Sequence, residues 1–204
     1  MARYDGSVSE LVKPVGTRAI ARDAVRARIS EVAVDLFDTH GFDEVTVEQI
    51  AAAVGVSTRS VHRYFPAKED TVVADPAGLG ERVRDAFAAR PEDEPVWDGL
   101  LASYEALLAA PGRDEQRGKK AMRVLGSTPA LRARNLEKHL LWARLLTPLV
   151  AARLGGRDAP LRAEAIVQSS LACFDIALTA WAESDDETGA DLLRRTFAAL
   201  RPAA

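Results

Sequence analysis

The sequence has 204 residues and a net charge of −3, with 48% hydrophobic and 28% charged residues, which supports a folded core and excludes a disordered chain. No apolar run approaches the ~20 residues that a membrane span requires, and the N-terminus lacks the apolar segment of a signal peptide. The single cysteine, Cys173, excludes an intrachain disulfide, so these properties together predict a cytoplasmic protein.

The predicted elements are all helical, because apolar residues recur at steps of three and four and no strand alternation is visible. In chain order we expect helices at about 17–39, 46–53, 57–64, 67–90 with an interruption at Pro76, 96–109, 114–126, 129–154, 161–184 and 188–200.

The segment from Thr46 to Lys68 reads as two short helices joined by a tight turn. Thr46 is a good N-cap, and Gln49 stands at the capping-box position three residues later. Gly55 gives the turn its backbone freedom, and Ser57 caps the second helix. This pattern predicts a helix-turn-helix, which places its second helix in a DNA major groove.

The outward side of the second helix is polar and basic, because Val61 and Phe65 continue its apolar side. Guanidinium, imidazole and hydroxyl groups there can hydrogen-bond base edges and phosphates. The candidates for base or groove contacts are Thr58, Arg59, His62 and Arg63. The alternative is a solvated polar face, and for Thr46 and Ser57 the alternative is capping alone.

The negative total charge argues against binding nucleic acid, but its distribution weakens that argument. Residues 55–68 contain Arg59, Arg63 and Lys68 and no acid. The acids between residues 35 and 48 are expected on the far side of the small domain. A local basic patch is sufficient for releasing counterions from DNA.

Ordered motifs around this segment resemble the N-terminal domain of the TetR family of transcriptional regulators over roughly residues 22–73. The matching residues are Ile29, Ala33, Leu36, Phe37, Gly41-Phe42, Thr46, Ile50-Ala51, Gly55-Val56-Ser57, Tyr64-Phe65 and Lys68-Glu69. One departure is Arg59, which stands where the family often has glycine, so base preferences do not transfer from other members.

The resemblance implies an all-α fold with an N-terminal three-helix helix-turn-helix domain and a C-terminal helical ligand-binding and dimerisation domain. The expected division is a flexible extension at 1–20, the DNA-binding domain at 21–74 and the helical domain at 75–204. The extension could instead be a basic arm that reaches the minor groove. Tyr64 and Lys68 match family positions that contact the DNA backbone. The complete predicted DNA-binding set is Thr46, Ser57, Thr58, Arg59, Ser60, His62, Arg63, Tyr64 and Lys68.

The resemblance also implies a homodimer on a palindromic double-stranded operator and a small apolar effector. Bulky residues able to line an effector pocket are Trp97, Tyr104, Met122, Trp142 and Phe174, although in a helical bundle such residues are often simply core. Basic residues near the expected mouth are Lys119, Lys120, Arg123, Arg132 and Arg134, with solvated surface as the alternative.

A stripe of mostly small residues and an apolar face on the last helix are candidates for the dimer interface. These residues are Ala165, Ser169, Ala172, Ile176 and Ala180, followed by Leu193 and Phe197. Small residues let helices approach closely, but burial within one subunit fits the same periodicity. The family dimerises through its last two helices, which favours the dimer.

A weaker resemblance relates the segment from Arg123 to Trp142 to an actinobacterial branch of the family that includes the mycofactocin-system regulator. It implies a fatty acyl-CoA or another long apolar ligand. We find no metal-ligand spacing, phosphate loop or nucleophile motif, so neither a metal, a cofactor nor an enzyme is predicted. Two other classes stay open: a helical protein that binds ligands or partners without reading DNA, and an all-helical enzyme. The sign of regulation is also open, because an operator's position decides between repression and activation.

Overall fold

The structure is a computed structural model that describes residues 17–73, 75–110 and 114–201, and every regular element in these ranges is a helix. In chain order the helices are α1 (Thr17–His40), α2 (Val47–Val54), α3 (Thr58–Tyr64), α4 (Asp70–Val73), α5 (Pro76–Ala88), α6 (Val96–Leu108), α7 (Glu115–Ser127), α8 (Pro129–Leu154), α9 (Ala159–Glu183) and α10 (Gly189–Ala199). The all-α prediction is confirmed, and the predicted break at Pro76 divides the fourth helix into α4 and α5. The predicted N-terminal extension lies outside the described residues up to residue 16, and α1 begins at Thr17.

We call α1–α4 the head and α5–α10 the body. The head has its own apolar core, with Ile29, Phe37, Ile50 and Phe65 among its buried members. The end of α7 and the start of α8 complete this core through Val124, Leu125 and Leu131. The head is therefore packed on the body and does not hang from a flexible linker.

The body core is larger and is rich in aromatic residues. Its members come from α5, α6, α8, α9 and α10, and they include Phe87, Leu100, Tyr104, Trp142, Leu146, Phe174 and Phe197. The two longest helices, α8 and α9, are joined by only four residues, so they form a helical hairpin. Their apolar sides face each other and organise the rest of the body around them.

Three ion pairs join α1 of the head to α7 of the body, and we call them the α1–α7 ladder. They are Glu31–Arg117 at 2.6 Å, Asp35–Lys120 at 2.7 Å and Asp38–Arg123 at 3.7 Å. Both partner series advance along the chain in the same direction, so the two helices run parallel at this contact. These three acids of α1 thus face the body, and Lys120 and Arg123, predicted near a ligand mouth, are instead bound to two of them.

Candidate nucleic-acid interface and effector cavities

The turn between α2 and α3 is defined by a cap at each helix and by one glycine. The Thr46 hydroxyl accepts from the Gln49 N–H at 3.3 Å, while Gln49 Oε1 accepts from the Thr46 N–H at 2.7 Å. Gly55 ends α2 with φ of +80°, a left-handed conformation that glycine adopts without a Cβ clash. The Ser57 hydroxyl then accepts from the Ser60 N–H at 3.1 Å. The expected capping box, turn and second cap are all present.

The outer side of α3 is basic and faces solvent. Arg59, His62 and Arg63 are exposed, whereas Val61 and Phe65 on the inner side are each 1% exposed within the head core. Within the described residues neither guanidinium forms an ion pair with an acid. The Arg63 guanidinium donates one long hydrogen bond of 3.5 Å to the Tyr64 hydroxyl, so both guanidiniums can bind an anionic partner without first giving up an ion pair.

The hydroxyl groups near α3 already serve the protein itself. Thr58 and Ser60 are half-buried, and the hydroxyls of Ser57 and Ser60 lie 2.9 Å apart. Capping by Thr46 and Ser57 is thus a role that does not depend on DNA, worth about 1 kcal/mol each. A phosphate contact by either hydroxyl stays a prediction.

Tyr64 and Lys68 differ in how they are placed. The guanidinium of Arg63 lies 5.1 Å from the centre of the half-buried Tyr64 ring. The Lys68 ammonium instead donates to the carbonyl oxygens of Phe42 at 2.8 Å and Val45 at 2.9 Å. These bonds fasten the loop between α1 and α2, so the structure gives Lys68 an internal role, and its phosphate contact stays a prediction.

The residues predicted to line an effector pocket are packed in the body. Tyr104 stacks on Phe174 with ring centres 4.8 Å apart, and its hydroxyl lies 3.1 Å from the Ser170 hydroxyl. Burial raises the pKa of the Tyr104 phenol. Trp142 contacts the same Phe174 ring at 5.8 Å, and Trp97 is hydrogen-bonded to the backbone of α10. These aromatic residues form a closed core, which is the alternative given for them above.

None of four cavities of about 290 to 410 Å³ in the described part of the chain is lined by those five residues. Met122 is partly buried where the head and body cores meet. The apolar cavity, of about 290 Å³, lies among α6, α7, α9 and α10 and is lined by Leu108, Leu178 and Trp181. The junction cavity, of about 330 Å³, lies where the head meets the body.

Side chains of α8 fasten it to the connection between head and body. Arg134 Nε donates to Asp70 Oδ1 at 2.7 Å, and a second guanidinium N–H contacts the same oxygen. Further along α8, Trp142 Nε1 donates to the Pro76 carbonyl oxygen at 2.8 Å. We call the Asp70–Arg134 pair the clamp. Both contacts hold the short segment from α4 to α5 against α8.

A buried polar cluster lies beside the clamp. Asn135 Nδ2 donates to Asp175 Oδ1 at 2.6 Å, whereas His139 Nε2 is 3.8 Å from that oxygen and has no hydrogen-bond partner among the described residues. Burial, and then the charge of Lys138, lowers the pKa of His139 to about 4. Burial also lowers the pKa of Lys138 to about 8. His139 is therefore neutral at pH 7.

The replacement His139→Gln is expected to remove one source of acid sensitivity. The folded-state pKa of His139 lies below the reference value of 6.5, so the unfolded chain binds this proton more tightly. His139 therefore lowers the free energy of unfolding in acid. This loss is absent above pH 6.5 and grows to about 3 kcal/mol as the pH falls to about 4. Urea unfolding at pH 7, 5.5 and 4.5 measures this, and the wild type should lose more stability than His139→Gln. The exposed His40 supplies the control His40→Gln, and a wild-type-to-variant difference independent of pH would contradict the expectation.

The predicted small-residue stripe is exposed along α9. Ala165, Ala172 and Ile176 are exposed, with Ile176 at 59%, and Ser169 and Ala180 are half-buried. We call these five residues the α9 face. An isoleucine and two alanines in the open are unfavourable for an isolated subunit, so this face is suited to contact another surface.

Two residues predicted for the same interface are not on it. Leu193 is fully buried and Phe197 is 1% exposed, and both belong to the body core. The apolar side of α10 packs inward on α9 and α6 of its own subunit, so these two side chains are not available to contact a second subunit. This part of the interface prediction is wrong.

α9 also bears on the expectation about membranes. Among the described residues it is the one helix whose length and mean hydropathy of 1.4 reach those of a membrane span. Half of that window is buried within the fold, as is usual for the core helix of a bundle. The described residues contain no group of three or more metal-ligating side chains.

Sequence reasoning missed Asp70 and Lys138, and it placed Arg134 near the mouth of an effector pocket with solvated surface as the alternative. A signal was present, because Asn135, Lys138 and His139 occupy the same side of α8 as Leu131 and Trp142. Polar residues at core positions of a helix indicate a hydrogen-bonded or ligand-related site. Asp70 carried no comparable signal, since its partner is 64 residues away along the chain.

Comparisons with known proteins agree with this arrangement. Residues 29–74 match the family model of bacterial regulatory proteins of the tetR family, and residues 94–204 match the MftR C-terminal domain. The chain is 29% identical over 183 residues to MftR of Mycobacterium tuberculosis, named as a mycofactocin biosynthesis transcriptional regulator, covering 86% of this chain and 89% of that protein. It is 28% identical to the HTH-type transcriptional regulator TcmR of Streptomyces glaucescens, covering 87% and 83%.

Solved structures show the same fold. A transcriptional regulator from Aquifex aeolicus superposes with a TM-score of 0.55 at 17% identity, covering 86% of this chain and 97% of that one. The TetR-family repressor FadR of Thermus thermophilus, solved with lauroyl-CoA, gives a TM-score of 0.54 at 25% identity, covering 87% and 97%.

Proposed function

The chain belongs to the TetR family of bacterial regulatory proteins, and on that premise we propose that it is a ligand-responsive repressor acting on a palindromic operator as a homodimer. Its site of action is then the cytoplasm, and it needs no catalytic group. The observation that carries the proposal is the exposed, unneutralised pair Arg59 and Arg63 on a capped recognition helix. In a twofold dimer, two such helices enter successive major grooves about 34–36 Å apart.

Within this proposal the DNA contacts divide into two kinds. Arg59, His62 and Arg63 reach base edges from the exposed side of α3, while Tyr64 and the hydroxyl of Thr46 contact the phosphate backbone. Ser57, Thr58 and Ser60 lie at the start of α3, where backbone N–H groups also point outward. Lys68 supports the loop behind them and contributes indirectly.

Selection of bound duplexes from a random-sequence DNA library tests the proposal. The purified wild-type protein is expected to enrich a near-palindromic motif. Absence of any enrichment at low salt would favour the alternative class, a helical protein that binds ligands or partners without reading DNA. Placing the recovered motif upstream of or across a promoter then separates repression from activation.

The α9 face supplies the dimer contact in this proposal, together with the exposed residues of α10. Burying Ile176 against a second copy removes its apolar surface from water, at about 25 cal/mol per Å². The apolar side of α10 is engaged within the subunit, so α10 contributes its outer residues and not Leu193 or Phe197.

The replacement Ile176→Glu is expected to convert the dimer into a folded monomer. An unpaired carboxylate buried in the interface would weaken association by about 2 kcal/mol or more, roughly 30-fold or greater in dissociation constant. Sedimentation equilibrium across a concentration series measures this. Ala77 is exposed near the start of α5, so Ala77→Glu adds the same charge away from the face and should remain dimeric. An Ile176→Glu protein that dimerises like the wild type would exclude this face.

The effector in this proposal is a small apolar molecule, and an acyl-CoA-like ligand is the specific candidate. It is supported by the MftR-type C-terminal match and by the lauroyl-CoA bound in the Thermus thermophilus FadR structure. The closed aromatic core around Tyr104 has to open to admit a long acyl chain. To move the equilibrium from 1:99 to 99:1, the ligand must prefer the released state by about 10⁴-fold. Thermal stabilisation by long-chain acyl-CoA is the expected observation, and a flat response would exclude this ligand class.

A further inference from the structure

The junction cavity lies where four helices of head and body meet. It is lined on the head side by Val73 and on the body side by Pro76, Arg134, Lys138 and Leu141. Its volume of about 330 Å³ is roughly twice that of a ~150 Å³ cavity that holds benzene. It is too small for a whole acyl-CoA, and it is separate from the aromatic core around Tyr104.

Lys138 is the unusual member of this lining. Its side chain is 8% exposed, and no hydrogen bond or ion pair joins its ammonium to any described residue. The centre of the Trp142 ring is 5.2 Å from Nζ, and the charge of Asp175 partly opposes the effect of burial on the pKa of Lys138. A largely buried ammonium with no hydrogen-bond acceptor among the described residues gains more than an exposed lysine does from an anion that enters the cavity.

The other charged side chains that line the cavity already have contacts of their own. Arg134 is bound to Asp70 through the clamp and also contacts the carboxylate of Glu137. Arg26 of α1 lies over the Phe65 ring at 5.0 Å. An incoming monoanion compensates Lys138, whereas a dianion would bring excess negative charge next to Asp70 and Glu137.

The remaining lining is apolar. Val73 is 8% exposed, and Pro76 and Leu141 are half-buried around the same space. We propose that the junction cavity binds a small amphiphilic carboxylate, whose anionic group pairs with the Lys138 ammonium and whose hydrocarbon part packs on Val73, Pro76 and Leu141. This ligand is distinct from the effector proposed for the body core.

Ligand binding in the junction cavity affects the head through the clamp. The carboxylate of the ligand would share the cavity with Asp70, whose other oxygen accepts from the Ala67 N–H at 2.9 Å and so orders the start of α4. A ligand carboxylate near Arg134 weakens the ion pair between Arg134 and Asp70, because the ligand and Asp70 compete for one guanidinium. The effect on operator affinity rests on the proposed function, whereas binding itself does not.

Calorimetric titration of the full-length protein with octanoate tests the site. Octanoate is expected to bind saturably with one site per chain. Octanol, which has the same hydrocarbon chain without the charge, and inorganic phosphate should each bind at least about 10-fold more weakly. Equal binding of octanol and octanoate, or no saturable binding of octanoate, would overturn the proposal.

Three variants locate the binding. Lys138→Met should lose octanoate binding by about 10-fold or more while its thermal stability rises, because burial destabilises this charge by more than its attraction to Asp175 stabilises it. Leu141→Trp keeps Lys138 but fills the cavity, and it should also lose binding. Arg144→Met removes an exposed cation from the same helix and should bind like the wild type. Undiminished binding by Lys138→Met, or an equal loss in Arg144→Met, would refute the assignment.

Operator binding is measured in parallel on the same samples. A protein that binds octanoate through Lys138 but enriches no DNA motif would retain this inference and refute the proposed function. A protein that binds an operator but does not bind octanoate would support the proposed function and refute this inference.

Discussion

Replacing both Arg59 and Arg63 with alanine is expected to abolish operator recognition without unfolding the head. Each guanidinium that reads a base contributes about 1–3 kcal/mol, so the double variant should bind its operator about 10²–10⁴-fold more weakly. Neither side chain takes part in the head core or forms an ion pair with an acid within the described residues, so thermal stability should stay within about 1 kcal/mol of the wild type. Fluorescence anisotropy with the selected operator at fixed salt measures the loss.

A charge-matched double variant separates base reading from general attraction to DNA. Arg82 and Arg157 are exposed in the body, and neither forms an ion pair within the described residues. Arg82→Ala/Arg157→Ala changes the net charge equally and should bind the operator like the wild type. If both double variants lose affinity equally, or if Arg59→Ala/Arg63→Ala retains sequence preference, α3 is not the recognition helix.

Replacing Trp142 with alanine is expected to have the largest effect on stability. The side chain is 1% exposed, and its removal leaves a cavity against Phe174 and the start of α5. Such truncations cost about 3–5 kcal/mol, which for a chain of this length lowers the melting temperature by about 6–20 °C. Thermal unfolding followed by circular dichroism measures the change. Arg144→Ala, on the exposed side of the same helix, should cost less than about 0.5 kcal/mol.

A milder variant isolates the hydrogen bond to Pro76. Trp142→Phe retains a ring but removes the indole N–H that donates to the Pro76 carbonyl oxygen, at a cost of about 0.5–1.5 kcal/mol. Since Pro76 begins the body directly after the link from the head, this variant should also change operator affinity although Trp142 does not contact DNA. Unchanged affinity would show that the contact is only structural.

Gly80 offers an internal check on the same packing. A Cβ built on Gly80 would lie 2.6 Å from Trp142 Cδ1, too close for any real contact. Gly80→Ala should therefore destabilise the wild type but be tolerated in the Trp142→Ala background, where the opposing ring is absent. Equal costs in both backgrounds would contradict the described packing of α5 on α8.

The order of helices could be predicted from the sequence because its signals are local. A capping residue such as Thr46, a glycine such as Gly55 and the recurrence of apolar residues act over one or two turns. The exposed side of α3 follows from the same periodicity. These features therefore agree with the structure to within a few residues at each helix end.

Partner choice across the fold was not predictable in the same way. Periodicity shows that Phe197 lies on an apolar face, but not whether that face meets its own subunit or a second copy. The same limit applies to Lys68, whose acceptors lie 26 and 23 residues earlier in the chain. Large aromatic residues such as Tyr104 are equally compatible with a pocket and with a closed core, and only packing distinguishes them.

The α1–α7 ladder affects how the salt dependence of DNA binding must be interpreted. Its partners are partly exposed, with Arg117 at 48% and Lys120 at 38%, so dissolved ions screen them. Raising the ionic strength would then act twice: it would weaken the attraction to phosphates and loosen the head from α7. The slope of log affinity against log salt concentration therefore does not equal the value expected from the number of contacted phosphates alone. It is steeper if DNA prefers the head fastened to α7 and shallower if DNA prefers the loosened head. A variant with an uncharged ladder would report the phosphate contribution alone.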